Sequence, residues 1–346
     1  MCCALHCSAT TSTWVYSLTN TFSWHIASTG KSNEMLTIFS QLMAISQMLL
    51  QPHFIFDGPN RPSFRQSKDR LCGIGPPLLE KRFQELLDAF GFSWHKAPGE
   101  AEAELAYFCS CGLVDAVVTP YNDVLLFGAP SILRSVQPLS RDYGDVELYA
   151  VDVIEDGPSL DRGDLLFIAL MSGADYDMGL PGCTVNVARR LARYGFGRTL
   201  FQAAVTNPFV EFMEFHAKWH RDLFQVLERD PQHHLGQCHY GLARVIDKER
   251  TEFPDPAVLT TYLLPLTSWS DGGQPPVTEV TSHQPDLAAL SAFCSRTMGW
   301  PLDGLRPRLM EACVGVVVHA LLQVRILCPS HILLSPPYYC SSCRVK

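Results

Sequence analysis

Phe54-Ile55-Phe56-Asp57-Gly58-Pro59 decides how the rest of this 346-residue chain is read. Large apolar residues in a row, closed by an acid and a Gly-Pro pair, spell a buried strand that stops abruptly with a carboxylate at its end. Outward from it the pattern alternates. Met35 to Leu50 has helical spacing, Leu78 to Phe90 has it again, and Val114 to Val118 reads as another buried strand. Strands alternating with helices predict an α/β core on a largely parallel sheet. From about 163 to 265 the pattern is nearly all helical. Ser270 to Asp286, rich in Gly, Pro, Ser and Thr, reads as a linker, and a helical segment from Leu287 to about Arg325 precedes a tail. The expected organisation is a core over 1–150, a helical region over 151–269, a linker over 270–286 and a helical segment with tail over 287–346.

Composition narrows the function classes. With 47% hydrophobic and 18% charged residues the chain can bury a sizeable core, which excludes overall disorder. A formal charge of -8 argues against general coating of polyanions but leaves room for nucleic acid on a local basic patch. Thirteen cysteines at irregular spacing do not make a secreted disulfide framework; a reduced cytosolic or nuclear compartment fits better. Met1 to Trp14 has no basic start and does not read as a signal peptide. The most apolar stretch, Cys313 to Leu334, is interrupted by His319, Gln323, Arg325, Pro329 and His331, so it reads as a buried helix and irregular tail, not a membrane span. Two motifs mislead. Thr29-Gly30-Lys31-Ser32 ends like a phosphate loop but has His25 where that loop needs glycine, and Cys340-Ser341-Ser342-Cys343 has no second pair at zinc spacing. Cys109 and Cys111 read as core and surface neighbours on a helix.

Acidic residues punctuate the ends of several elements. Asp57 follows its strand directly, and Asp123 lies five residues beyond Val118. Pro98-Gly99-Glu100-Ala101-Glu102-Ala103-Glu104 opens a helix, and Asp164–Met171 runs into Ser172-Gly173-Ala174-Asp175-Tyr176-Asp177. Singly, each acid has an ordinary reading: carboxylates in the first turn of a helix meet its dipole favourably, and Asp before Gly-Pro is a turn residue. Jointly, they are hard oxygen donors of the kind divalent cations require, placed where an α/β sheet gathers its chemistry.

These stretches, in this order, resemble the XPG/flap-endonuclease family. Phe56-Asp57-Gly58-Pro59-Asn60-Arg61-Pro62, Ala97 to Glu104, Asp115-Ala116-Val117-Val118-Thr119 through Asp123 to Ala129, and Gly173-Ala174-Asp175-Tyr176-Asp177 with Gly179-Leu180-Pro181-Gly182 carry the likeness. It covers about residues 35–200 and extends more loosely to about 325, with wording most like the Gen/Yen-type Holliday-junction resolvases, fungal ones in particular. The resemblance implies a nuclease core with a PIN-like fold, followed by a helix-two-turn-helix DNA-binding region. It implies a structure-specific endonuclease acting in DNA repair or recombination in the nucleus, on branched or flapped DNA, as a dimer on four-way junctions in one arrangement, with no membrane. Two Mg²⁺ ions would activate a water and stabilise the leaving oxygen. Carried over position by position, Asp57, Glu100, Glu102, Asp123 and Asp175 are the catalytic and metal-binding acids. Arg61, Arg65, Lys68 and Arg70 would contact phosphates near the cleaved bond. Gly179 and Gly182 would let a hairpin's amides approach a DNA strand, with Arg189, Arg190 and Arg193, and Arg198 beyond them, on the backbone.

The chain departs from the family pattern at defined places. Tyr121 stands two before Asp123, where the family carries an acid, and Thr10 stands where spacing to Trp14 puts the acid that ends the family's first strand. Met1 to Ser12 is unlike the family, so the first segment is expected to be absent or replaced. Thr184 replaces a small residue of the hairpin turn. Glu104, one helical turn beyond Glu100, is expected to share its face and partly substitute for a missing acid. The sequence therefore leaves two readings: a cutting enzyme weakened at its metal site, or a degenerate member that binds junctions without cutting.

Overall fold

The computed structural model describes residues 5–10, 33–48, 50–62, 77–119, 121–135, 146–150, 160–248, 253–276, 280, 283–301, 305–315 and 317–318. The phosphate-loop lookalike at 29–32, Arg65, Lys68, Arg70 and the Cys340–Cys343 pair lie outside them. A six-stranded sheet runs in the order β3-β2-β1-β4-β5-β6, with β1 Leu5–Thr10, β2 Leu50–Phe56, β3 Ser93–Lys96, β4 Ala116–Val118, β5 Ser131–Ser135 and β6 Val146–Ala150. Every neighbouring pair is parallel except the last, β5 with β6. The α/β expectation with a largely parallel sheet holds.

The first strand is present. Leu5–Thr10 pairs with β2 on one side and β4 on the other, and Thr10 sits level with Ile55, just before the end of β2. Of the two alternatives, absent or replaced, the strand rules out absence: it is there, ending on Thr10 instead of an acid. A correction concerns Leu50. The first helix, α1, is Asn33–Ser46, and Leu50 already belongs to β2. Pro52 explains the change, because a proline disfavours the helical region for the residue before it and removes a donor.

Period-two alternation in β2 sorts two apolar clusters onto the two faces of the sheet. Phe54 and Phe56 pack with α1 and α2 (Pro77–Phe90), and Ile55 faces the other way with Val117. On that second face lie α3 (Ala101–Ser110), the four-residue α4 (Asp123–Leu126) and α5 (Arg162–Ser172). Helix α3 packs on β1, β2, β4 and α4, and α4 packs on α5. The helical region continues as α6 (Val185–Ala192), α7 (Phe196–Thr206), α8 (Phe209–Arg229), α9 (Tyr240–Lys248) and α10 (Pro256–Leu263). Helices α5 and α7 cross on glycines: a Cβ on Gly163 would lie 2.8 Å from the Gly197 carbonyl oxygen.

Within 270–286, Val280 is buried, and the amides of His283 and Asp286 donate to the carbonyls of Gly91 and Ala89 at 2.9 and 2.8 Å. The following helix α11 (Leu287–Phe293) packs on α2, and α12 is Leu305–Met310. Among the described residues no helix is long and apolar enough to cross a membrane. Cys109, buried, and Cys111, exposed, are free, as are Cys183, Cys238, Cys294 and Cys313.

Candidate functional site

Asp57 builds the site by capping a helix from a distance. Glu100 occupies the N-cap position of α3 with extended backbone, yet its side chain caps nothing. Asp57 does this instead: its Oδ1 accepts from the Ala101 amide at 3.0 Å. One orphan donor of the helix is satisfied, and a negative charge sits at its positive end. The turn is laid flat on the helix entry, with the Gly58 amide donating to Gly99 at 2.7 Å and Asn60 to Pro98 at 3.3 Å. Contact is close enough that a Cβ on Gly58 would stand 2.0 Å from the Ala97 carbonyl oxygen.

The other acids lie on α3, on α4 and in the turn after α5. Glu100 is buried, and the Tyr176 hydroxyl donates to its Oε2, which ties Asp175's neighbour to α3. Glu102 is fully buried in the first turn of α3. Asp123 is half-buried at the first position of α4. Asp175 is half-buried in the turn after α5. Asp57, Glu100 and the Asp175–Tyr176 turn thus form one connected set, with α4 packed beside it. Arg61, expected at phosphates, is instead 3.2 Å from Asp57 Oδ2. Tyr121 is half-buried, its amide donating to Thr119 Oγ1 at 3.2 Å.

Glu104 is not in this set, which corrects its reading as a substitute. It is fully buried, one oxygen 3.2 Å from His95 Nε2 and the other accepting from the Ser268 amide at 2.8 Å. His95 Nδ1 lies 2.8 Å from His53 Nε2, and His53 Nδ1 lies 2.8 Å from Ser93 Oγ. Burial, then the adjacent His95, lowers His53 to a pKa of about 3. Sequence reasoning missed this chain. Its one signal is a histidine on each of two adjacent strands, His53 level with Ser93 and His95 level with Ile55 two residues on, which becomes visible only once the β2–β3 register is known.

Could the acids hold a metal ion as they stand? Carboxylate oxygens are the donors Mg²⁺ requires. Yet Asp57 is taken up by Arg61 and the Ala101 amide, and Glu100 by Tyr176. Among the described residues no group of three or more His, Cys, Asp or Glu is disposed to hold a metal ion. In this arrangement the residues do not fit a ready-made two-ion site.

The second half of the site is a hairpin between α5 and α6. Asp177 Oδ1 accepts from the Gly179 amide at 3.1 Å, and Thr184 caps α6 through Val187. Burial raises the Asp177 carboxyl above its ordinary value. Two positive-φ glycines do different jobs. Gly179 packs inward, where a Cβ would lie 2.3 Å from the Gly173 nitrogen, while Gly182, at φ +84°, faces open space. Exposed Pro181, Gly182, Thr184 and Asn186 form the tip.

Four arginines that look alike in sequence separate here. Arg189 and Arg193 are exposed. Arg190 donates to the Leu235 carbonyl at 2.8 Å, bracing the loop whose amides at Leu235 and Gly236 donate to Asp230. Arg198 pairs with Asp161 and Asp164, each at 3.0 Å. All four are exposed, and Arg190 and Arg198 hold structural ties as well.

Known proteins share this fold and parts of this sequence. The family description "XPG I-region" matches residues 91–175. A protein of Arabidopsis thaliana named flap endonuclease GEN-like 1 is 34% identical over 188 residues, 47% of this chain and 31% of that protein. The chain thus spans about a third of that relative. A solved structure described as a eukaryotic junction-resolving enzyme GEN-1 with caesium superposes with a TM-score of 0.71 at 28% identity, over 92% of this chain and 72% of the other. The Holliday junction-resolving enzyme GEN1, solved with product DNA and Mg²⁺, gives 0.68 at 26% identity, over 93% and 73%.

Proposed function

This chain belongs to the XPG/flap-endonuclease family, and on that premise we propose that it is a nuclear, structure-specific endonuclease that grips branched or flapped DNA and hydrolyses its backbone in repair or recombination. The observation that carries the reading is the Asp175–Thr184 turn. Its first residues reach Glu100 through Tyr176, and its tip opens to solvent at Gly182 beside exposed Arg189 and Arg193. One short segment thus joins an acidic sheet edge to a basic surface suited to a DNA backbone.

In this reading Asp57, Glu100, Glu102, Asp123 and Asp175 carry the hydrolysis, with Mg²⁺ as the expected cofactor. Arg61, Arg65, Lys68 and Arg70 serve the phosphates near the cut, and Gly179, Gly182, Arg189 and Arg193 serve the duplex. Cleavage is expected to be weak, because Thr10 and Tyr121 stand at positions where the family carries acids. The second reading, a member that binds junctions without cutting, is favoured by one observation: Asp57 is engaged by Arg61 and by a helix amide.

The test is cleavage of flap and four-way-junction DNA with and without Mg²⁺, beside anisotropy binding to the same substrates. Mg²⁺-dependent cutting that Glu100→Ala removes supports the enzyme. Binding without cutting supports the second reading, and neither binding nor cutting overturns both. A sharper expectation concerns the exposed arginines. Arg189→Ala with Arg193→Ala should weaken binding alike for all sequences and reduce the slope of log K against log salt by about 2. Arg190→Ala should instead lower stability by about 1–2 kcal/mol, since it removes a tie to the Leu235 carbonyl. Denaturation midpoints and a salt series on the same proteins separate the two effects.

A further inference from the structure

The segment Tyr262–Trp269, where α10 ends, touches both walls of the acidic set. The Tyr262 ring stands edge-on to Tyr176 with centroids 5.3 Å apart, and Tyr176 donates to Glu100. The Tyr262 carbonyl is held by Arg162 Nη2 at 3.0 Å. Further on, the Leu266 carbonyl oxygen lies so near Gly99 that a Cβ there would be 2.5 Å from it. The Ser268 amide donates to Glu104, and Trp269 stacks on Tyr107 at 5.7 Å and meets Phe108 edge-on at 5.3 Å. Successive residues of one strap therefore press on the α5–α6 turn, the entry of α3 and the second turn of α3.

Glu104 is the point where the strap is keyed. A fully buried carboxylate is costly unless charge and lone pairs are met, and a leucine would satisfy this packing more cheaply. Glu104 spans two elements at once: the strap amide on one oxygen, and on the other a histidine chain rooted in β3 and β2. It lies one helical turn from Glu100 on a rigid helix, so what fixes the rotation of α3 at Glu104 also fixes where Glu100 stands.

We infer that Glu104 is a positioning residue: with Ser268 and His95 it locks the Tyr262–Trp269 strap onto α3 and so sets the placement of the catalytic acids. This rests on the nuclease reading for its consequence, though not for its geometry. Ser268→Pro tests it cleanly. Ser268 is the second residue of a turn closed by the Ser270 amide on the Thr267 carbonyl at 3.0 Å, with Trp269 at φ −88° and ψ −6°. Those are type I values, and proline is favoured at that second position, so the N–H is deleted while the turn stays.

The expected result is that Ser268→Pro and Glu104→Leu each lower kcat on branched DNA about tenfold with KM changed less than about twofold, as misplacement of held groups does. Hydrogen exchange of the α3 amides at 104–109 should quicken about tenfold in both. Glu104→Gln, whose amide oxygen still accepts from Ser268, should restore both readouts. Native exchange at 104–109 in Ser268→Pro, or a loss shared equally by kcat and KM, overturns the inference. Should Glu104→Leu fail to fold, Ser268→Pro decides alone. Should the native chain cut no DNA, the nuclease reading fails, and the exchange comparison still decides whether the strap is locked by Glu104.

Discussion

Gly58→Ala will cost this protein about 3 kcal/mol or more of folding stability, although it adds a single methyl group. The position is not strained in its backbone; the obstacle is space. The new Cβ would stand 2.0 Å from the Ala97 carbonyl oxygen and 2.6 Å from the Pro98 carbonyl carbon, both backbone atoms. Neither can swing aside as a flexible side chain would. Relief requires lifting the Asp57 turn off the entry of α3, which breaks the Gly58–Gly99 hydrogen bond and withdraws the Asp57 cap from Ala101. A matched control separates crowding from glycine's other virtues. Gly112 has φ +72° and nothing within 4 Å of a Cβ, so Gly112→Ala should cost only about 1–2 kcal/mol of backbone strain. Urea midpoints by circular dichroism measure both. Equal losses for the two variants would mean that the turn is not wedged as described.

Tyr121→Asp will raise Mg²⁺-dependent cleavage by about tenfold or more, a gain of at least about 1.4 kcal/mol in the barrier. Tyrosine is neutral near pH 7, since phenol ionises only near pH 10, and so supplies no charge there. Tyr121 is half-buried, two residues before Asp123, on the approach to α4. A carboxylate at 121 therefore returns charge at the entry to α4, the helix that packs on α3 and α5. Single-turnover cleavage of a four-way junction, native against Tyr121→Asp, gives the ratio. Thr10→Asp made alone, and then with Tyr121→Asp, shows whether the two positions act together. If Tyr121→Asp binds junctions as the native chain does and cuts no faster, the weakness of the site lies elsewhere, with Arg61 on Asp57 the next place to look.

Local signals served the reading of this chain well where structure is local. The Phe54–Phe56 run, the helix after Pro98 and the α5–α6 hairpin all announce themselves within a few residues, through apolar periodicity and turn chemistry. Leu5–Thr10 does not. Its Leu-His-Cys-Ser-Ala-Thr has no alternation and weak strand preference, and it is a central strand because β2 and β4 pair with it from both sides. Side-chain roles escaped for a similar reason. Helical spacing correctly put Glu104 one turn from Glu100, but its partners sit 9 and 164 positions away, and they decide what it does. Likewise nothing in Arg189-Arg190 foretells that Arg190, exposed like its neighbour, holds a carbonyl 45 positions on. The sequence shows Asp57 as an acid at a strand end, which it is; that it also caps a helix 44 positions later requires the fold.

Glu104 leaves a ribosome long before Ser268, its amide partner 164 positions downstream. At about 5–20 residues per second of synthesis, the wait is on the order of 10 s. Throughout that interval α3 and its acids exist without the strap that sets them. The strap that locks α3 is made long after it, so the nascent chain carries its acidic helix for that time in an unassembled form. On the nuclease reading, a site whose strap is made so long after its acids is, by its order of construction, incomplete until Ser268 has been added.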